Sequence, residues 1–280
     1  MAPLLLAGLL YLGSGIGLML WIFGRQAIYA HMRPNLRLEN PNEKFYLIGA
    51  ILLGGILAPA LLMFGLRRTP AATVSLLLNL EAAFTVSLAC LFFKETYGRR
   101  LLIGFAFLVA GGGFLAMTNT NRLGGSFFGV ILITGACLGW AIDNNLTKHV
   151  TSLDATVLAA VKGIVAGTVN VGLALGLGMS IPAFKPTLVT MGIGFVGYGL
   201  SLVLFILSLR KIGAARTSAY FSIAPFVGAV ISLLLLKEPF VWPLGVAGLL
   251  MAVGVYLHLT EIHLPFCVAS ATILNKLYPW

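Results

Sequence analysis

Charged side chains are scarce in this sequence. Only 9% of the 280 residues are Asp, Glu, Lys or Arg, whereas 59% are apolar, and the acidic residues number eight. A water-soluble domain carries roughly a quarter charged residues, which it needs to coat its surface. The scarcity therefore excludes a water-facing globule. The mean hydropathy of +1.01 indicates that the solvent of this chain is lipid.

Cysteine and histidine are also few. The three Cys and four His residues show neither the CxxC nor the His-paired spacing of a zinc site or disulfide framework. No GxxxxGK[ST] sequence is present, so direct ATP hydrolysis is not expected. The few acidic and His residues form no compact catalytic set. We therefore predict no enzymatic activity, no cofactor and no bound metal.

The basic residues lie in short clusters, although the net charge is +10. Proteins that bind nucleic acid gather Lys and Arg on one face or arm, so we predict no nucleic-acid partner. The clusters instead separate long apolar runs, as loop charges do in membrane proteins. Nine runs approach or exceed the roughly 20 residues that a helix needs to cross a bilayer: 3–24, 46–66, 71–93, 100–118, 126–147, 154–178, 187–209, 215–236 and 241–260. The predicted fold class is an all-α, polytopic membrane helix bundle.

Lys and Arg are unevenly divided between the two sides of the membrane. If alternate connections share a side, twelve fall on one side, from Arg25 to Lys276, and five fall on the other, from Arg67 to Lys237. The positive-inside bias places the richer side in the cytoplasm. We therefore expect a multi-pass protein of a prokaryotic cell (inner) membrane, with its N-terminus outside and its C-terminus cytoplasmic.

The chain resembles itself at an offset of 143 residues, which aligns Ser75 with Ser218 and Lys94-Glu95 with Lys237-Glu238. Five spans separate equivalent points, and an odd number reverses their orientation. This pattern predicts inverted-topology repeats, which are typical of secondary transporters. The first copy has four spans and the second has five. We therefore expect that one N-terminal span of a 5+5 pattern is absent.

Several short motifs, in order and at matching spacing, resemble the EamA-type permeases of the drug/metabolite transporter superfamily. In the first half they are Arg68-Thr69-Pro70-Ala71-Ala72, Leu76 to Glu81, Lys94-Glu95 and the helix from Gly104 to Gly113. In the second half they are Gly139-Trp140, Ala215 to Tyr220, Ala224-Pro225 and Lys237-Glu238-Pro239.

The resemblance covers about 4–260. It implies a first EamA-type repeat at 1–120 with four spans, a second at 121–262 with five, and a C-terminal tail at 263–280. It also implies a permease or exporter of small metabolites such as amino acids or drug-like compounds.

Three ionisable residues lie inside predicted spans, where a charge is costly and faces a partner or a wet cavity. Glu81 either binds a cationic group or a coupling proton, or pairs with a Lys or an Asn amide within the bundle. Lys162 either contacts a substrate carboxylate or neutralises Glu81 or Asp143. Asp143 either borders a cavity or lies at a helix end in the headgroup region.

Other polar or aromatic side chains in the spans complete the predicted substrate-binding set. They are Asn79, Trp140, Asn144, Asn170, Tyr198, Ser201 and Tyr220. For the tyrosines, an interfacial position is the alternative.

Together these features predict a secondary transporter that works by alternating access at a midplane site between inverted repeats. Its partners would be a small-molecule substrate, the lipid bilayer and protons as the coupling ion. Two alternatives stay open: a non-transporting remnant or accessory membrane subunit, and an integral-membrane enzyme, which the scarcity of acidic and His residues disfavours.

Overall fold

The computed structural model describes residues 1–28, 35–93, 99–119 and 126–260. Within these ranges the chain is helical, without strands, and nine segments are long and apolar enough to cross a membrane. The predicted all-α membrane bundle is thus confirmed. The spans are Pro3–Ala27, Pro41–Leu66, Ala71–Ala89, Arg99–Thr118, Phe127–Lys148, Ala155–Gly176, Phe184–Ile212, Arg216–Leu235 and Trp242–Leu259. The predicted tail, 263–280, lies outside the described residues.

Several spans consist of more than one helix. The first-half helices are α1 (Pro3–Ile28), α2 (Pro41–Ala50), α3 (Ala58–Leu66), α4 (Ala71–Leu77), α5 (Leu80–Phe93) and α6 (Arg99–Asn119). The second-half helices are α7 (Phe127–Lys148), α8 (Ala155–Gly176), α9 (Phe184–Gly194), α10 (Ser201–Ile212), α11 (Ala214–Phe221), α12 (Ala224–Leu235) and α13 (Trp242–Leu259).

Local sequence explains where many of these helices begin. Pro41, Pro225 and Pro243 each lie in the first turn of a helix. Proline is tolerated there because the first backbone N–H groups have no partner within the helix. Helix α8 instead begins with a side-chain cap, since the Asp154 carboxylate accepts a hydrogen bond of 2.8 Å from the Thr156 backbone.

The two halves share the positions of their irregular turns. The second span contains a π-helical segment at Ile51–Leu57, and the seventh contains one at Phe195–Leu200. The third span breaks at 78–79, and the eighth breaks at 222–223. At the offset of 143 residues, these features coincide to within one residue. The halves therefore resemble each other in backbone geometry as well as in sequence.

Helix packing relates the halves around a common centre. Helix α6 packs against its equivalent α13, and α4 and α5 pack against α12 and α11, respectively. Helix α4 is equivalent to α11, and α5 is equivalent to α12. The 143-residue offset therefore converts the α4–α12 contact into the α11–α5 contact. The broken spans therefore cross each other at the pseudo-symmetric centre of the bundle.

One side of the bundle is covered in only one half. Helix α7 packs against α3 and α5, and Leu61 of α3 lies against Gly135 of α7. At the equivalent position on α10, Leu204 is 66% exposed. Among the described helices, none covers α10 and α12 as α7 covers their counterparts. The expected absence of one N-terminal span stays a prediction.

Candidate functional site: a central membrane cavity

A cavity of about 360 Å³ lies at the crossing of the broken spans. Its polar lining comprises Ser75, Glu81, Asp143, Asn144, Lys162 and Ser201. Its aromatic lining comprises Tyr11, Trp140, Tyr198, Phe205 and Phe221. A concave, mainly apolar pocket with a few converging polar groups is the usual form of a small-molecule site.

Glu81 is placed in the cavity by the break in the third span. The chain turns at Leu78 and Asn79, and α5 then begins, with Glu81 in its first turn. The Asn144 side-chain amide donates a hydrogen bond of 2.8 Å to Glu81 Oε1, and it also approaches Thr85 Oγ1 at 3.3 Å. Within the described residues, Glu81 forms no salt bridge. Its immediate partner is therefore a neutral amide.

Asp143 has a cationic partner. Lys162 Nζ lies 2.5 Å from Asp143 Oδ1, and both side chains are buried. Thr147 joins the pair, because its hydroxyl donates to Asp143 Oδ1 at 2.7 Å and accepts from Lys162 Nζ at 3.1 Å. Of the alternatives for Lys162, the structure shows the internal ion pair with Asp143.

The π-helical segment of the second span completes the wall beside Asp143. The Gly54 carbonyl accepts hydrogen bonds from the Tyr11 hydroxyl at 3.1 Å and the Trp140 indole at 3.0 Å. Gly54 also leaves space for the carboxylate, since a Cβ atom at this position would lie 2.0 Å from Asp143 Oδ2. A glycine is therefore required here by the close approach of Asp143.

Gly54→Ala is expected to lower the free energy of unfolding by about 1–3 kcal/mol, the usual cost of overpacking. The new methyl group would displace the Asp143 carboxylate from its position beside Lys162. Thermal unfolding in detergent measures the effect. The matched control is Gly197→Ala at the equivalent position of the second half, where an added Cβ has no neighbour within 4 Å. Equal loss of stability in both variants would contradict the steric argument.

Seven residues of the predicted substrate-binding set line the cavity: Glu81, Trp140, Asp143, Asn144, Lys162, Tyr198 and Ser201. The structure does not bring the other three to it. Asn79 is buried at the helix break, and its amide has no hydrogen-bond partner in the described part of the chain. Asn170 is buried and donates to the Gly55 carbonyl at 3.2 Å. Tyr220 is 61% exposed and does not line the cavity.

Sequence reasoning missed several lining residues. The sequence identified Ser75 only as a residue that aligns with Ser218 of the second half, and its position gave no indication of a cavity. Tyr11, Phe205 and Phe221 are aromatic residues in apolar spans, and nothing in their spacing separates a cavity position from a lipid-facing one. Tyr11 is nevertheless held in place by its bond to Gly54, and its ring centroid lies 5.2 Å from that of Tyr198.

Comparison with known proteins agrees with this architecture. The model of the EamA-like transporter family matches residues 1–117 and 127–260. A protein of Methanothermobacter thermautotrophicus, named as an uncharacterized transporter, is 29% identical over 226 residues. That alignment covers 77% of this chain but 64% of the relative, so the chain spans less than two thirds of that relative's length.

A solved structure, described only as "Crystal structure of protein", superposes with a TM-score of 0.67 at 15% identity. The match covers 92% of this chain and 88% of that one, and at this identity it shows a shared fold alone. The family match over both halves and the nine apolar helices also identify a multi-pass membrane protein. The chain belongs to the EamA-like transporter family.

Proposed function

We propose that this membrane transporter is a secondary transporter of small organic solutes that carry a protonated amine. Amino acids and amine-bearing drug-like compounds are members of that class. The proposal places the protein in the cell membrane with its N-terminus outside. The observation that carries it is the Glu81 carboxylate, which faces the cavity with a neutral amide as its partner.

The contrast between the two cavity carboxylates supports a cationic ligand. Asp143 is neutralised within the protein by Lys162 at 2.5 Å. Glu81 has no such partner among the described residues, and an unpaired charge in a membrane interior is costly. A ligand ammonium would neutralise Glu81 as Lys162 neutralises Asp143. A ligand carboxylate would find the Lys162 cation already occupied.

The aromatic lining suits the same ligand class. Tyr11, Trp140 and Tyr198 surround the polar side of the cavity, and the Phe205 and Phe221 rings meet edge to face with centroids 5.2 Å apart. Aromatic faces attract organic cations and also bury the apolar part of a ligand. An amine with an apolar body therefore complements both parts of the lining.

The broken spans support alternating access as the mechanism. Each half contributes a span that is interrupted at the level of the cavity, at 78–79 and 222–223. Discontinuous helices at a repeat interface form the substrate sites of many inverted-repeat transporters, and one half then rocks against the other. Glu81 can hold either a proton or an amine, so we propose exchange of the two across the membrane.

Binding is tested on the purified chain by thermal unfolding with ligand pairs of matched shape, such as phenethylamine and phenylpropionate. A ligand at 100 times its Kd stabilises the folded state by about 2.7 kcal/mol, so weak binders are detectable at high concentration. We expect the amine, and not the carboxylate, to raise the Tm. Stabilisation by the carboxylate alone would contradict the assigned ligand class.

Transport is tested separately by counterflow in proteoliposomes. Vesicles preloaded with the stabilising amine should accumulate the labelled amine transiently from outside, because a carrier that alternates exchanges one molecule for the other. Protein-free vesicles provide the control. Binding without counterflow would contradict transport and leave the ligand class intact.

The exposed face of α10 and α12 favours a second candidate function, an accessory subunit. Leu204 on α10 and Val227 and Val230 on α12 are all more than half exposed, whereas α7 covers the equivalent side of the first half. This face is available to an apolar helix of another membrane chain. Reproducible co-purification with one membrane partner, combined with no ligand binding by the chain alone, would favour the accessory role.

A further inference from the structure

We infer that contacts between the broken spans form a one-sided clamp, which holds the cavity closed at the membrane side where residues 67–70 lie. The inference rests on the proposed alternating access and identifies the residues that bias it. The inter-repeat clamp consists of two contacts. In the first, the Glu238 carboxylate binds the backbone N–H groups of Ala71 and Ala72. In the second, the Ser75 hydroxyl binds the Pro225 carbonyl, beside Gly228. These contacts join the first half of the chain to the second.

The first part of the clamp is a carboxylate on a helix end. Glu238 Oε1 accepts a hydrogen bond from the Ala71 backbone N–H at 2.7 Å, and Oε2 accepts one from Ala72 at 2.8 Å. Lys237, the preceding residue, has a φ of 53°, a left-handed conformation that is uncommon for a residue with a side chain. This turn directs the chain from α12 toward α4. Such strained backbone conformations occur at positions with a specific task.

The second part lies one helical turn deeper. The Ser75 hydroxyl donates a hydrogen bond of 2.8 Å to the Pro225 carbonyl at the start of α12. Ser75 fits here because residue 228 is glycine: a Cβ atom on Gly228 would lie 2.3 Å from Ser75 Oγ. Close contact between α4 and α12 therefore depends on a missing methyl group.

At the other end of the crossing spans, the serine contact equivalent to Ser75–Pro225 is not made. Ser218 on α11 is equivalent to Ser75, and its hydroxyl is buried without a hydrogen-bond partner among the described residues. At the position equivalent to Gly228, helix α5 carries Thr85. Thr85 has the Cβ atom that Gly228 lacks, and its hydroxyl approaches the Asn144 amide of α7 at 3.3 Å. If α11 approached α5 as closely as α4 approaches α12, Ser218 would meet this Cβ atom, as Ser75 would meet one on Gly228. Glu95, the equivalent of Glu238, lies outside the described residues.

The described parts of the two ends of the crossing spans therefore differ in chemistry, although each half contributes an equivalent pair of helices to them. At the end near residues 67–70, three hydrogen bonds hold α4 against α12 and the segment that follows it. At the opposite end, a steric difference prevents the matching serine contact. Opening of the cavity toward residues 67–70 requires release of the clamp, and the resting protein keeps that side closed.

The test measures access to the cavity from each side of the membrane. Cys90, Cys137 and Cys267 are replaced by Ala, and Leu202, which lines the cavity, is replaced by Cys as a reporter. A membrane-impermeant maleimide is then applied to vesicles of each orientation without substrate. Glu238→Gln and Ser75→Ala remove clamp bonds, and Ser218→Ala is the matched control in the other half.

We expect both clamp variants to raise the labelling rate from the side of residues 67–70 by on the order of tenfold, the population change that loss of one such bond produces. Ser218→Ala should leave that rate unchanged. Gly228→Ala should act like Ser75→Ala, and it provides a second route if either clamp variant fails to fold.

Equal effects of Ser75→Ala and Ser218→Ala, or no effect of either clamp variant, would overturn the one-sided clamp. Because labelling is measured without substrate, that result would leave the proposed transport standing. Conversely, a vesicle preparation with the expected labelling pattern and no counterflow would refute transport and retain the clamp.

Discussion

Glu81→Gln is expected to weaken the binding of amines by the purified chain by about one to two orders of magnitude. The substitution keeps the size of the side chain and its contact with Asn144, but it removes the negative charge that faces the cavity. A hydrogen bond to a charged group contributes about 1.5–3 kcal/mol, which corresponds to roughly 10- to 150-fold in affinity. The thermal shift produced by phenethylamine measures the loss.

Glu39→Gln is the appropriate control, because Glu39 is exposed in the connection between the first two spans and carries the same charge. It should bind amines like the unaltered protein.

The same pair of variants tests proton coupling: uptake driven by a pH gradient should disappear with Glu81→Gln alone. Gradient-driven uptake that survives this substitution would remove Glu81 from the coupling step.

Lys162→Met should destabilise the protein more than any other single substitution considered. Lys162 is 1% exposed and neutralises Asp143 at 2.5 Å. Its removal leaves a buried carboxylate without a cation, and breaking a buried pair in this way costs about 3–5 kcal/mol. We expect a correspondingly lower Tm in detergent, or no cooperative unfolding. Lys185→Met, at an exposed lysine near the start of α9, should change little.

Removal of both charges distinguishes pairing from lysine packing. In the double variant Lys162→Met with Asp143→Leu, neither member of the pair carries a charge, and buried pairs replaced by apolar residues are often neutral or stabilising. Its Tm should recover most of the loss caused by Lys162→Met. A double variant as unstable as the single one would show that Lys162 acts through packing rather than through Asp143.

Hydropathy alone predicted the spans, because lipid requires long apolar helices with internally bonded backbones. The predicted runs correspond to the nine observed spans, and no end differs by more than five residues. The second span begins five residues earlier than predicted, and the seventh begins three residues earlier and ends three residues later. Those ends carry polar residues such as Asn42 and Lys185. Hydropathy places such residues outside a span, although the helix itself continues through them.

The interior of the spans was less predictable. Proline within a span is typical of a helix interruption, and Pro225 lies beside the break in the eighth span, but the matching break at Leu78 and Asn79 involves no proline. Only the 143-residue offset from Pro225 could have indicated it. The π-helical segments have no sequence signature beyond the equivalent pair Gly54 and Gly197.

Side-chain direction distinguishes Tyr220 from the residues that line the cavity. Successive helical residues point about 100° apart, so a prediction correct in depth can still choose the wrong face. Phe221 lines the cavity, whereas its neighbour Tyr220 is exposed. Polarity favoured Tyr220 as the ligand contact, but its side chain is exposed, whereas the equivalent residue of the first half, Leu77, is fully buried.

The steric difference between Gly228 and Thr85 has a consequence for measured affinities. A carrier whose two end states differ in free energy spends unequal time in each, and its apparent Kd on a face rises as the fraction of molecules open to that face falls. In an ion-coupled carrier, the gradient that can be sustained is set by the coupling ion and does not depend on this difference. One missing methyl group on α12 would therefore make this protein bind the same solute more weakly from the side of residues 67–70 than from the opposite side.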